Sequence, residues 1–501
     1  MASCLLALDA GTGSGRAAIF DAAGHLLACE AEEWSYEERQ HPGDFFPGYQ
    51  FDPERFWASF CRSIRAALDR SGVRPADIIG IAATSQREGS VFLDGDGREL
   101  LATPNFDSRA VQEGLEVLDR FGADRLYGVT GHTPPFIFPL SRVLWWRRRF
   151  PEHPIAKVLM ISDWVTYRLS GEKVAEPSNA GESLFFDVAR RGWSEDLCEA
   201  FEIPPSILPD LRAAGARAGS VTRAAAADTG LLEGTPVFTG GADTQCGLLG
   251  SGVVDAGEAG AVLGTTTPVQ LVLDHAVFDP ERHLWAGAHV VPDRWVLESN
   301  AGDTGKAYLW LLDLFGARPL DADGFVAIER EAARANPDVP VFSFLGPSVF
   351  DLRNLNPARA AGLLFPYPFG RQRPGRPEVF AGFLESVAFA VRANMEQIEE
   401  ATGRKIDHLS IGGGMTRGAM LVDLLARVTG VPLWVSEVAE TAGLGCAILA
   451  GTGCGLYSSL RDGVARAVRA REVLPGDGGL LRERYRKWYE LYRFLNGTSV
   501  P

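Results

Sequence analysis

Histidine is scarce and badly placed for metal binding: eight in 501 residues, with neither an HExxH pair nor a His/Cys cluster, so a transition-metal site has no support. Cysteine is sparse as well. Seven cysteines without any CxxC spacing suit a reducing compartment better than a disulfide framework, and Cys246 reads as a small buried thiol rather than a nucleophile. No run approaches the ~20 apolar residues needed to cross a bilayer, and Met1 to Asp9 lack the charged start and long apolar core of a signal peptide. A cytoplasmic protein without a membrane partner is expected. Net positive charge is missing too: the balance of -15 argues against a nucleic-acid partner, which would need a concentrated positive field. The local exception, Arg142 to Arg149 around Trp145 and Trp146, is expected to be a helix with a solvated basic face.

Two phosphate signatures are absent. No GxxxxGK[ST] occurs, and Gly11-Thr12-Gly13-Ser14-Gly15-Arg16 has Arg where a dinucleotide fingerprint needs its third glycine and opens a strand rather than a helix. Both a P-loop and a nicotinamide-dependent dehydrogenase therefore lose support.

What is present is an ordinary globular composition, 46% apolar and 23% charged, in a chain too long for a single core. Two large domains, and hence a cleft, are expected. Cys4 to Leu8, the glycine-rich turn, Ala17 to Phe20, Gly24 and Leu26 to Cys29 read as strand, hairpin, strand, turn, strand. Asp52 and Pro53 begin a helix carrying Phe56, Phe60, Ile64 and Leu68 at helical spacing, which leads to a strand over Ile78 to Thr84. A second long helix, from Phe380 to Ile398, stops near Gly403 and precedes the strand Leu409 to Ile411 and the triple glycine Gly412 to Gly414. Ala261 to Leu263, Gly264-Thr265-Thr266-Thr267 and Val269 to Leu273 repeat the opening hairpin, which suggests a duplicated domain. We place the domains at 1–249 and 250–501, with the boundary in the glycine-rich stretch Gly247 to Gly257 and Pro366 to Pro377 as a surface insertion.

Several residues carry candidate chemistry. Small residues in a hairpin turn leave backbone N–H groups uncrowded, so Thr12, Gly13 and Ser14 could cradle a polyanion, although such turns are often purely structural. Asp9, at the end of the first strand, either holds Mg²⁺ through water beside nucleotide phosphates or caps the turn. Asp243, in Thr239-Gly240-Gly241-Ala242-Asp243-Thr244-Gln245 after the apolar run Pro236 to Phe238, either accepts a hydroxyl proton during phosphoryl transfer or simply forms a turn. Arg87 and Glu88, with Asn105, Asp107 and Arg109, follow apolar segments in the manner of loop residues that grip a polyol.

Taken together, these segments resemble the FGGY carbohydrate kinases, the sugar-kinase branch of the actin-like ATPases. The resemblance rests on Leu8 to Arg16, Gly240-Gly241-Ala242-Asp243, Gly264-Thr265-Thr266, and Gly412-Gly413-Gly414 with Glu440 to Gly451. It implies an α/β fold of two ribonuclease-H-like domains with mixed sheets flanked by helices and a cleft between them. It also implies transfer of the γ-phosphate of ATP to a sugar hydroxyl, with Asp243 as base and Asp9 near Mg²⁺. Thr12, Gly13, Ser14 and Arg16 would line one phosphate loop and Gly264 and Thr265 a second, with Gly305 as a further contact and Gly413 and Arg417 at the adenine. Arg87, Glu88, Asn105, Asp107, Asp243 and Thr244 would meet the acceptor. Members of the family are often dimers or tetramers.

Within the family, Ile161 to Trp164, Pro177 to Gly181 and Arg87-Glu88-Gly89 are similar to autoinducer-2 kinases, which phosphorylate a linear dihydroxypentanedione, whereas Phe350 to Asn356 are not. Pentulose kinases such as xylulokinase are the alternative. A nucleotide-binding sensor that phosphorylates nothing is the reading from a different class.

Overall fold

The meander expected at the start is present, and it seeds the first of two large sheets. In this computed structural model, residues 3–319, 322–353, 361–365 and 373–497 are described. Strands β1 (Cys4–Ala10), β2 (Ser14–Asp21) and β3 (Leu26–Glu33) pair antiparallel in sequence order. Helix α1 (Pro53–Ser71) begins where the Asp52 carboxylate accepts the N–H groups of Glu54 and Arg55, and it stops at Gly72 in the left-handed region. It leads to β4 (Ile78–Ser85), parallel to β1 on the side away from β2. Helix α2 (Pro139–Arg149), β5 (Arg217–Ser220) and β6 (Pro236–Ala242) come next, with β6 parallel to β4 and β5 antiparallel to β6. Spatially the order is β5–β6–β4–β1–β2–β3. Helix α3 (Asp243–Gly250) starts at the residue after β6.

The second sheet repeats this plan. It consists of β7 (Ala259–Val262), β8 (Pro268–Leu273), β9 (Trp285–Ala288), β10 (Trp295–Asn300), β11 (Leu409–Gly412), β12 (Leu433–Ser436) and β13 (Ala470–Val473), in the order β9–β10–β8–β7–β11–β12–β13. In both sheets a hairpin's first strand takes a parallel crossover strand on its free edge, then a second parallel strand, then an antiparallel one. That shared connectivity is what the repeated Gly-Thr hairpins in the sequence point to. Helix α4 (Thr304–Leu314) comes after β10, and the 27-residue α5 (Arg376–Thr402), ended by left-handed Gly403, precedes β11.

Each lobe has its own core. Leu6, Leu8, Ile19, Phe56, Phe60 and Trp164 pack in the first, and Leu263, Leu271, Phe380, Phe383 and Trp488 in the second. A third cluster joins them where α3 crosses α6 (Thr441–Gly453). The crossing is so tight that a Cβ at Gly250 would stand 2.0 Å from the Thr441 carbonyl oxygen, and one at Gly445 1.9 Å from that of Cys246. Only glycine allows the two backbones this approach. Cys246 is fully buried there, its Sγ 3.9 Å from that of Cys446, as its reading as a packing thiol requires.

The helix over the basic run forms, but Arg142 faces inward and is fully buried, with Trp145 and Trp146 also in the core. Its guanidinium donates to the carbonyls of Glu88, Ile137 and Pro104 and to Thr103 Oγ1, so it is a structural cross-link and only Arg147 and Arg148 are exposed. Gly247 to Gly257, where the domain boundary is expected, begins inside α3. Of Pro366 to Pro377, most lies outside the described residues, as does the end of Phe350 to Asn356. Among the described residues no helix is long and apolar enough to cross a membrane.

Candidate active site

Asp9 and Asp243 both sit where a strand of the first sheet ends, because β1 and β6 run parallel to the same neighbour, β4. Asp243 is the first residue of α3 and is partly exposed, with its Oδ1 accepting the Thr244 N–H at 2.8 Å. Burial pushes its carboxyl up to about 7; the nearby Arg87 pulls it down and Asp9 and Glu298 raise it again. Asp9 is thus within electrostatic reach of Asp243. Its Oδ2 accepts from Arg16 Nη1 at 2.9 Å, whereas its Oδ1 is buried with no protein partner.

The first turn is braced from below. Tyr36 Oη and Trp34 Nε1 both donate to the Thr12 carbonyl, at 2.7 and 3.3 Å, and Asn105 Nδ2 reaches Thr12 Oγ1 at 3.2 Å. Gln86 ties the same turn to the loop that carries Asn105, since its Nε2 donates to the Gly11 carbonyl and its Oε1 accepts the Asn105 N–H. Gly13 at the tip has open space where a side chain would be. Asn105 therefore supports the turn in this structure.

Gly264 and Thr265 form the matching turn after β7, with Thr265 exposed. Helix α4 starts against it: the N–H groups of Gly305 and Lys306 donate to the carbonyls of Gly264 and Thr265 at 3.2 and 3.3 Å. A Cβ on Gly305 would lie 2.3 Å from the Gly264 oxygen. Gly413, at φ 97°, is pressed onto the backbone of Leu263 in the same way. Arg417 is exposed and lines a pocket of about 480 Å³ with Thr416, Ser436, Val438, Glu440 and, from the first lobe, Leu26. Glu440 stands 3.9 Å from both Arg417 and Arg16, so it lies between the basic residue beside the first turn and the one that follows the triple glycine.

The expected acceptor residues divide. Arg87 is buried and makes two 2.8 Å bonds to Glu298 on β10, lies 3.6 Å from Glu182, and stacks its guanidinium 5.2 Å from the Trp285 ring centre. Glu88, at φ 57°, is buried beside it, and burial raises its carboxyl well above the usual range despite Arg87. Thr244 is buried with its hydroxyl bonded to Gln245. Asp107 is closed to solvent: Arg109 Nε and the Tyr49 N–H occupy its oxygens, and the ion pair pins the loop to Gly48–Gln50. A carboxylate used this way is a brace, not a ligand contact.

Sequence reasoning missed three members of the charged floor. Glu298 and Glu182 flank Arg87, and His132 Nε2 lies 3.2 Å from Glu182. Burial raises the Glu182 carboxyl, but His132 and Arg87 outweigh it and hold the group below its ordinary value. One signal was available: Gln270 is the polar residue in an otherwise apolar strand, and it faces Glu298 across β8 and β10. Among the described residues no cluster of three or more His, Cys, Asp or Glu could hold a metal ion. The orphaned Asp9 Oδ1 is the atom that fits a hydrated cation, which needs few protein ligands when phosphates supply the rest.

Comparison with known proteins gives the same picture over the whole chain. The N-terminal domain model of the FGGY family of carbohydrate kinases matches residues 4–250 and the C-terminal domain model residues 259–454. An autoinducer-2 kinase from Enterobacter sp. (strain 638) is 35% identical over 514 residues, covering 98% of this chain and 94% of that one. The enzyme of the same name from Yersinia pestis (strain Pestoides F) is 36% identical over 489 residues, covering 94% and 90%. Among solved structures, xylulose kinase from Rhodospirillum rubrum superposes with a TM-score of 0.80 at 24% identity, covering 99% of this chain and 98% of that one. Plasmodium falciparum glycerol kinase with ADP superposes with a TM-score of 0.82 at 18% identity, covering 100% and 99%. Those two likenesses show the fold of two mixed-sheet lobes.

Proposed function

Because the chain belongs to the FGGY family of carbohydrate kinases, and so phosphorylates a small sugar with ATP, we propose that its acceptor is a linear dihydroxypentanedione of the autoinducer-2 type and that Asp243 is the base. The observation that carries the mechanistic part is the setting of Asp243. It stands at a strand end, beside Arg87 and within reach of Asp9, with a carboxyl near 7. A base so poised is largely ionised at slightly alkaline pH yet basic enough to take a hydroxyl proton.

Asp243 removes that proton as the acceptor oxygen bonds to the γ-phosphorus. The bond from phosphorus to the bridging oxygen breaks, ADP leaves, and the proton passes from Asp243 to solvent. The N–H groups of Thr12, Gly13 and Ser14 and of Thr265 hold the phosphates from the two lobes, while Gly264, whose own N–H donates to the Thr266 carbonyl, shapes the second turn. Arg16 faces the same turn, and Gly413 and Arg417 border the adenine. Arg87 and Glu88 orient the acceptor, with Thr244 beside the base, while Asn105 and Asp107 keep their loop in place. Asp9 would hold magnesium through water by its free Oδ1. Bound there, the ion neutralises charge on the phosphoryl group being transferred.

The acceptor assignment rests on identity of about a third across nearly the full length of the autoinducer-2 kinases. ADP release measured over a panel of dihydroxypentanedione, xylulose, ribulose, glycerol and gluconate tests it. The dihydroxypentanedione should give the highest kcat/KM, and a pentulose preferred by tenfold or more would replace it. Asp243→Asn should lower kcat by about 10²-fold or more, the range of a general base.

A further inference from the structure

Behind Asp243, strand β6 leaves its regular ladder. Val237 and Phe238 pair with Ile81 and Ala82, whereas Gly241 and Ala242 pair with Thr84 and Ser85, so Thr239 and Gly240 together oppose Ala83. Such a bulge bends a strand and re-aims the residues beyond it. Gly240 is required at the bend, because its Cβ would stand 1.9 Å from the Ala83 carbonyl oxygen.

Past the bulge, one peptide unit is held by side chains at both ends. Thr84 Oγ1 donates to the Gly241 carbonyl at 2.8 Å, and the Ala242 N–H donates to Ser178 Oγ at 3.0 Å. These two groups belong to the same peptide plane, and the next residue is Asp243. The Ser178 hydroxyl has a single proton, which it gives to Glu176 Oε2, so its lone pairs are turned toward Ala242. Glu176 Oε2 is itself fixed by the N–H groups of Ser178 and Asn179, at 2.9 and 3.2 Å. Thr84, Ser178 and Glu176 are all at most 2% exposed. No water competes for these bonds, and a misplaced peptide would leave buried groups unpaired. The plane therefore has one orientation, and it sets the direction in which α3 and its first side chain leave the strand.

We propose that Thr84 and Ser178 are positioning residues that aim the Asp243 carboxylate through the Gly241–Ala242 peptide, with Glu176 keeping the Ser178 hydroxyl in its accepting orientation. This rests on Asp243 being the base. Residues Pro177 to Gly181 thereby acquire a task in the reaction without touching either substrate, since a displacement of about 1 Å at a catalytic group can cost on the order of 10²-fold in rate.

The test compares Thr84→Val, Thr84→Ser and Ser178→Ala with Asp243→Asn and the unaltered enzyme. Thr84→Val keeps the shape but loses the donor. It and Ser178→Ala should keep KM for ATP and acceptor within about threefold while kcat falls on the order of 10- to 100-fold. The acid limb of the pH profile should move, and Thr84→Ser should recover most of the loss. The double variant should cost little more than the worse single one, because both bonds hold one plane. Unchanged kcat in folded Thr84→Val, or no recovery in Thr84→Ser, overturns the proposal. If Ser178→Ala fails to fold, the Val and Ser pair at 84 decides alone. Asp243→Asn separates the base from its positioning. Full turnover in that variant sinks the base and this inference together, whereas a dead Asp243→Asn beside fully active Thr84→Val and Ser178→Ala sinks only the inference.

Discussion

Arg87 of the first lobe closes a two-toothed ion pair on Glu298 of the second, with Nη1 and Nη2 each 2.8 Å from a different carboxylate oxygen. The floor of the proposed acceptor site is therefore built by both lobes. Gln270 bonds to the same carboxylate, and Trp285 lies opposite Glu298 on β9, so the second sheet presents a prepared seat for an arginine that comes from elsewhere.

Glu298→Gln should raise the KM for the acceptor on the order of tenfold and leave that for ATP nearly unchanged, because a charge-assisted bond to a sugar-orienting arginine is weakened. The buried guanidinium, left with Glu182 at 3.6 Å as its nearest counter-charge, should also cost stability, up to about 3 kcal/mol, read as a lower midpoint in thermal unfolding. A third readout has a definite sign. Glu298 raises the Asp243 carboxyl and Arg87 lowers it, so removing the negative charge and freeing the positive one should shift the acid limb of kcat/KM to lower pH.

For the unaltered enzyme that limb should have its midpoint at about 7, with kcat/KM for the acceptor rising tenfold per pH unit below it and level above. The same group makes the fold less stable as pH rises. Unfolded, Asp243 loses its proton near 3.8, but folded it keeps the proton to about 7, so between those values the native state binds more protons and stability falls with pH. Asp243→Asn should therefore melt higher than the parent at pH 8, and the difference should close toward pH 4.

How much of this could be read from the sequence depends on whether a residue's role is local. The opening meander, the Asp52 cap and the Gly403 stop are set by neighbours in the chain, and each lies where the pattern puts it. The duplication was legible because Gly-Thr turns recur with apolar strands on both sides. Arg142 was misjudged because a run of arginines looks like a surface whichever way each side chain turns, and what turned it inward is a set of carbonyls from 137, 104 and 88 that only the tertiary fold assembles. Glu298 was missed for a related reason: its partner is 211 residues away, and no spacing rule connects them. Asp107 beside Arg109 looked like polar loop chemistry, and it took the packing of Gly48–Gln50 to reveal a brace.

Gly305 is where the second turn and helix α4 meet, and a Cβ there would come within 2.3 Å of the Gly264 carbonyl oxygen. Gly305→Ala should push the Gly264-Thr265 turn outward and misalign its N–H groups. ATP affinity, monitored by titration with a fluorescent ATP analogue, should drop on the order of tenfold, while acceptor KM at saturating ATP stays close to that of the parent. Equal losses for both substrates would mean the variant had disturbed the lobe rather than the turn.

Asp9 offers the sharpest test of the proposed magnesium site. One of its oxygens is committed to Arg16 and the other is buried without a partner, an arrangement that costs free energy unless something positive or hydrogen-bearing fills it. Asp9→Asn keeps the size of the side chain but removes the charge and puts an amide in place of one oxygen. The magnesium concentration for half-maximal rate at fixed ATP should rise on the order of tenfold, and kcat should stay depressed even at saturating metal because Arg16 has lost its anchor as well. Arg16→Ala separates the two effects. It should lower ATP affinity while leaving the magnesium requirement nearly unchanged, since the free oxygen of Asp9 remains in place. A magnesium requirement that rose equally in both variants would mean that the ion is held by the phosphates alone and that Asp9 serves only to orient the arginine.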